Sequence, residues 1–186
     1  MMHLDEEKVG LLIVDVQGAL ARKVNDSQTM ICKTVKLIQC CKLLNIPVVV
    51  LEQNPDGLER TVPEIETHVA SDPHFKKFTF NAVAGTDQCS SEILAYIGEM
   101  ELSRWLVVGI EAHVCVYQTV TGLLENNYIV EVIQDCISSR ESSNAVLAIQ
   151  NMREQGARIS SFEMTLFGLL KSCQHPKFRE VLALIK

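Results

Sequence analysis

Short runs of apolar residues at 9–14, 48–51, 105–108 and 129–133 constrain the fold of this chain more than any other feature. Apart from Glu131 they are apolar on both faces of an extended chain, so each strand must be covered on both sides. Coverage of that kind is the condition of a parallel sheet held between two layers of helix. Residues 77–80 and 158–160 are weaker strand candidates, and about six strands are expected on this count. The stretches between them read as helices. Residues 27–44 repeat Ile31, Val35, Ile38 and Cys41 at helical spacing, 90–99 place Ile93, Leu94 and Ile97 on one face, and 113–125 follow Gly109. Capping-box spacing recurs at Thr61-Val62-Pro63-Glu64, at Ser138-Ser139-Arg140-Glu141 and at Ser160-Ser161-Phe162-Glu163. These predict a short helix, a helix running to about Glu154 before the stop at Gly156, and a further helix. Pro176 is suited to open the last one. The expected fold class is α/β, three-layered and doubly wound around a central parallel sheet. With no repeat, low-complexity segment or linker, residues 1–186 read as one domain.

A chain of 186 residues buries enough surface to need no disulfide or metal staple. The net charge of −6 would repel a phosphate backbone, so nucleic acid is not an expected partner. No apolar run is long enough to span a bilayer, so no membrane association is expected. The start, Met1-Met2-His3-Leu4-Asp5-Glu6-Glu7, is acidic and resembles neither a secretory signal nor an Arg-rich transit peptide. A cytoplasmic location follows as the expectation, with mitochondrial association left open. Seven cysteines, an odd number without CxxC spacing, read as reduced thiols and exclude a zinc ribbon.

In an open parallel sheet a ligand binds beyond the carboxyl ends of the strands. Three loops therefore matter: Asp15-Val16-Gln17, Glu52-Gln53-Asn54-Pro55-Asp56-Gly57, and Gly109-Ile110-Glu111-Ala112-His113-Val114-Cys115. Asp15 ends an apolar run about ten residues ahead of the next predicted helix, so capping explains it poorly and a functional carboxylate explains it better. Cys115 stands near a helix start, where the dipole and free N–H groups favour a thiolate. The plainer reading is a small buried core residue. Lys76 and Lys77 fall on opposite faces of their strand, so at most one enters a site, and a surface lysine is the ordinary reading of either. Gln17 and Asn54 are the substrate-binding candidates on these loops, with structural packing as the alternative. His113, two residues from Cys115, points elsewhere on a helix.

Three elements, taken in order, carry a resemblance. They are Leu11-Leu12-Ile13-Val14-Asp15-Val16-Gln17, Lys77 ahead of Phe80-Asn81, and Val108-Gly109-Ile110-Glu111-Ala112-His113-Val114-Cys115-Val116. The chain resembles the isochorismatase-like hydrolases. It is most similar to the eukaryotic isochorismatase domain-containing proteins, through Glu52-Gln53-Asn54-Pro55-Asp56-Gly57-Leu58 with Thr61-Val62-Pro63-Glu64, Asp135-Cys136-Ile137-Ser138-Ser139-Arg140 and His175-Pro176-Lys177-Phe178. The resemblance covers nearly the whole chain. It implies a Rossmann-like fold with a central six-stranded parallel sheet, and an Asp–Lys–Cys triad that falls on Asp15, Lys77 and Cys115. Lys77 is favoured over Lys76 because the family pattern places Phe80 three residues on. A non-proline cis peptide is implied at Ile110–Glu111, with Ile110, Glu111 and Ala112 shaping an oxyanion site. Nicotinamidases of the family hold a metal through an Asp-x-His element after strand two. Here that loop reads Glu52-Gln53-Asn54, so neither metal nor cofactor is expected. Members that cleave isochorismate lack the cysteine, so Cys115 aligns this chain with the amidase type.

The expected function is hydrolysis of a C–N bond in a small amide or carbamoyl compound, with a homo-oligomer implied by the resemblance. The alternative keeps the fold for binding or scaffolding, or uses Cys115 as a redox sensor.

Overall fold

Side chains alternate sides along the central strand, as a two-faced sheet requires. Val9, Leu11 and Ile13 of β1 (Val9–Val14) enter one apolar core, and Leu12 and Val14 enter the other. The computed structural model describes residues 8–185, and the acidic segment read above for targeting lies outside them. The remaining strands are β2 (Val48–Gln53), β3 (His74–Lys77), β4 (Arg104–Ile110), β5 (Ile129–Ser138) and β6 (Arg158–Ser160). They form a six-stranded sheet in the order β3-β2-β1-β4-β5-β6, with every pairing parallel. The expected three-layer α/β fold is the observed one.

The helices are α1 (Gly18–Lys23), α2 (Ser27–Leu43), α3 (Pro55–Leu58), α4 (Pro63–Val69), α5 (Gln88–Glu99), α6 (Tyr117–Glu125), α7 (Ser142–Glu154), α8 (Phe162–Leu170) and α9 (Phe178–Ile185). Residues of α2, α4, α8 and α9 pack on the first core, and residues of α5, α6 and α7 on the second. Among the described residues no helix is long and apolar enough to cross a membrane.

Several local expectations are corrected. The third strand is His74–Lys77, so Lys77 closes it instead of opening it. The Thr61 hydroxyl donates to Glu52 Oε1 at 2.9 Å and does not cap α4, whose start is set by Pro63 in the first turn. Ser138 belongs to β5 and donates to Asn25 O, leaving α7 to begin at Ser142. The α8 cap is Ser161, one residue later than the spacing suggested. The last helix opens at Phe178, two residues beyond Pro176. β5 extends five residues past its apolar run, through a register shift opposite Val107–Gly109. The extra length admits Asp135, which accepts from Phe162 N at 2.8 Å and pairs with Lys33 at 2.9 Å.

The chain runs outward from β1 to β2 and β3, then returns to β4 on the other flank of β1. This makes the β1/β4 boundary the topological switch point, where the crevice of such a sheet opens. Val14 pairs with Gly109 at that boundary. Gly109 has φ +123°, and a Cβ there would lie 2.0 Å from Val14 O, so the approach of the two strands excludes any side chain.

Candidate active site

Asp15 is the first residue past β1 and turns out of the strand with φ +52°. Its N–H donates to Leu51 O at 3.1 Å, which fixes the turn against β2. Lys77 ends β3, two strands away, or about 9–10 Å at ordinary strand spacing. A long side chain is needed to cover that gap. Lys77 Nζ passes over the end of β2 and donates to Asp15 Oδ2 and to Gln53 Oε1, both at 2.7 Å. Lys77 is fully buried and Asp15 is 2% exposed, whereas Lys76 points to solvent. The opposite-face reading of the two lysines therefore holds.

Cys115 sits in a π-helical turn, Ala112–Val116, that follows β4 and leads into α6. It is 7% exposed and packs in the core on the α5–α7 side of the sheet. Burial pushes its thiol up to about 12; the negative charge of Asp15 adds to the rise and Lys77 opposes it. The expectation of a favoured thiolate at a helix start is thus corrected, because burial and the neighbouring carboxylate outweigh the dipole and the ammonium. Asp15 is also raised above the ordinary carboxylate range, by burial first, against the charge and hydrogen bond of Lys77. Two acids with raised proton affinity beside one ammonium titrate as a unit. One proton shared between Asp15 and Cys115 leaves the buried group neutral overall. Asp15 Oδ1 is buried and accepts no well-formed hydrogen bond from the described residues, while Cys115 is in electrostatic contact with both Asp15 and Lys77. The thiol proton therefore has an unoccupied acceptor beside it.

Sequence reading missed Gln53. Its Oε1 accepts from Lys77, and its Nε2 donates to Phe78 O at 2.8 Å, so it locks the lysine and the loop beyond it. Gln17 is fully buried. Its Nε2 donates to Gln53 O at 3.2 Å and Glu59 O at 2.6 Å, and its Oε1 accepts from Gln53 N at 2.7 Å, which consumes the amide in holding two loops together. Asn54 adopts a left-handed conformation at an exposed position, its amide lying over Gly57 and its N–H donating to Lys77 O at 2.9 Å. Glu52 Oε1 accepts from Thr61 N at 2.7 Å and from the Thr61 hydroxyl. With Glu52 held by Thr61 and Gln53 by Lys77, this loop does not fit a metal.

The Ile110–Glu111 peptide is cis. Ile110 and Ala112 are fully buried. Glu111 Oε1 accepts from Arg140 N and Nε, each at 3.0 Å. Burial works to raise the Glu111 carboxyl, but the hydrogen bonds and charge of Arg140 overcome it and hold the group below its ordinary value. His113 turns away to Ser139, with Nδ1 and Oγ 2.9 Å apart. Grooves of about 910 and 600 Å³ lie among α2, α4 and α9, and neither includes a residue of the Asp15–Lys77–Cys115 group.

Residues 9–164 match the model of the Isochorismatase domain. The chain is 32% identical over 182 residues to Isochorismatase domain-containing protein 2 of Xenopus laevis, covering 98% of this chain and 85% of that protein. A Caenorhabditis elegans structure described as MAR1 ribonuclease aligns with a TM-score of 0.88 at 33% identity, over 99% of this chain and 92% of that one. The Escherichia coli YcaC gene product, described as an octameric hydrolase of unknown specificity, shares the fold with a TM-score of 0.86 at 18% identity, over 98% and 96% of the two chains. The family match spans most of the sequence and takes in Asp15, Lys77 and Cys115, and the chain belongs to the isochorismatase domain family.

Proposed function

We propose that this protein hydrolyses the C–N bond of a small amide or carbamoyl compound, with Cys115 as nucleophile, Asp15 as general base and Lys77 as the fixed cation. The observation that carries this reading is the buried Lys77–Asp15 pair at 2.7 Å beside the thiol, with Asp15 Oδ1 left open. A free thiolate is costly in such a site. Passing the thiol proton to Asp15 as sulfur attacks the carbonyl carbon moves charge within a neutral group, so little additional charge must be buried. The Lys77 ammonium favours whichever partner is negative. The tetrahedral oxyanion would be held by the N–H groups of Ala112 and Cys115, since the N–H groups of Val114 and Val116 are already given to Glu111 O. Collapse breaks the C–N bond, and the departing nitrogen takes the proton from Asp15. Water then attacks the thioester and gives a proton to Asp15, which returns it to sulfur as the acid leaves.

The likeness to an octameric hydrolase supports assembly of several copies. Ribonuclease activity, attributed to the C. elegans neighbour, is less well supported here. The net charge of −6 opposes a polyanion, and the nucleophile is nearly buried. The test is release of ammonia or amine from a panel of small amides by wild type, Cys115→Ala and Asp15→Asn, with RNA assayed in parallel. Turnover lost in both variants is expected. Amide turnover that survives Cys115→Ala, or RNA cleavage with no amide turnover, would sink the proposal.

A further inference from the structure

The loop after Lys77 holds two aromatic rings in solvent, Phe78 at 59% and Phe80 at 51% exposure. The loop is fastened along its length. Gln53 Nε2 donates to Phe78 O at 2.8 Å, Lys77 Nζ to Thr79 O at 3.4 Å, and the Thr79 hydroxyl to Asn81 O at 2.9 Å. On the far side the Thr119 hydroxyl donates to Phe80 O at 3.3 Å and accepts from Ala82 N at 3.1 Å. Asn81 lies flat on Gly122 of α6, where a Cβ would stand 2.5 Å from its Oδ1. Thr119 is one helical turn past Cys115, so the loop bridges from the lysine to the helix that carries on from the nucleophile. Phenyl rings left in water forgo the stabilisation of burial. A fastened loop that presents two of them is built to meet an apolar group. The ammonium of the site itself, Lys77 Nζ, is already paired with Asp15.

Resting on the hydrolase reading above, we propose that Phe78 and Phe80 are the walls of the substrate site, and that the substrate is an amide bearing an apolar group. The test compares alkylation by iodoacetamide with alkylation by its N-phenyl derivative. In both, the Cys115 sulfur displaces iodide, a C–S bond replaces the C–I bond, and the thiol proton leaves through Asp15 to water. Peptide mass spectrometry reads the rate at Cys115, with the exposed Cys32 and Cys173 as internal references. The N-phenyl preference at Cys115 is expected to exceed that of the references about tenfold or more. It should fall to the reference value in the Phe78→Ala/Phe80→Ala variant, with folding checked by Trp105 fluorescence. Equal ratios at all three cysteines in wild type, or a preference that survives the double substitution, overturn the proposal. A double variant that keeps the preference but sediments as a smaller species assigns the rings to contact between copies and overturns it too. Preference without amide turnover supports the walls and removes the hydrolase reading, and turnover without preference does the reverse.

Discussion

Lys77→Met removes the ammonium from the buried pair and keeps most of the bulk of the stem. Asp15 then remains 2% exposed without its counter-charge. Burial already raises this carboxyl against the pull of Lys77, so losing the lysine raises it further and favours the neutral acid. Relative to an unfolded value of about 3.9, holding a carboxyl neutral costs about 4 kcal/mol at pH 7 and about 1.5 kcal/mol at pH 5, at 1.36 kcal/mol per unit. The first figure falls within the roughly 3–5 kcal/mol found when one partner of a buried ion pair is removed. A carboxyl raised on folding binds its proton more tightly in the folded state. Stability therefore falls as pH climbs from the unfolded value through the folded one, and is regained below. Asp15 of the wild type is raised as well, but less, so its window is narrower. The stability gap between wild type and Lys77→Met should accordingly shrink by up to about 2.5 kcal/mol between pH 7 and pH 5. Urea unfolding at both pH values measures it, followed by fluorescence of Trp105, the single tryptophan, which is fully buried. Measured between Asp15→Asn and Asp15→Asn/Lys77→Met, both of which lack the carboxyl, the gap should no longer change with pH. A gap for Lys77→Met that is the same at both values would refute the reasoning.

Four further outcomes follow from the same geometry. Asp15→Asn removes the negative charge that helps hold the Cys115 thiol near 12, so its alkylation midpoint should move down, whereas Lys77→Met should move it up. The same Asp15→Asn change should lower amide turnover by about 10²–10⁴-fold in steady-state kinetics, the usual contribution of a general base. Gln53→Leu strips Lys77 of a charge-assisted hydrogen bond and should cost about 1.5–3 kcal/mol in denaturant unfolding, with the kinetic loss falling on kcat and not on KM. Gly109→Ala sets a Cβ against Val14 O at positive φ and should destabilise by more than about 4 kcal/mol, seen as loss of soluble protein or a collapsed unfolding midpoint.

Where sequence and structure part, the cause is nearly always a polar group finding a tertiary partner. Four strands were legible because both of their faces are apolar, Glu131 apart. β3 was displaced because Phe78 and Phe80 read as buried strand residues but stand in solvent, while His74–Lys77 offers Phe75 as its one apolar side chain. The capping boxes failed where the hydroxyl had a better use, Thr61 on Glu52 and Ser138 on Asn25 O. α1 and α3, six and four residues long, are too short to show a helical period.

The site divides along the same line. Edge position picked out Asp15 and Cys115, and resemblance chose Lys77 over Lys76. Gln53 could have been found by parity alone. Val49 and Leu51 face the core that holds Cys115, so Gln53 continues that face toward Lys77, while Glu52 goes with Val48 and Val50 to the other side, where Thr61 waits. The ionisation of the thiol was not available in this way. A helix start and a nearby lysine both argue for thiolate, and both are readable from sequence. The loss of water around Cys115 depends on residues from α5, α6 and α7 closing over the sheet edge, and it outweighs them. The raised thiol does not count against catalysis once Asp15 is raised too. In the proposed mechanism the proton passes between two groups whose proton affinities burial raises in the same direction, beside one ammonium that offsets the charge they share.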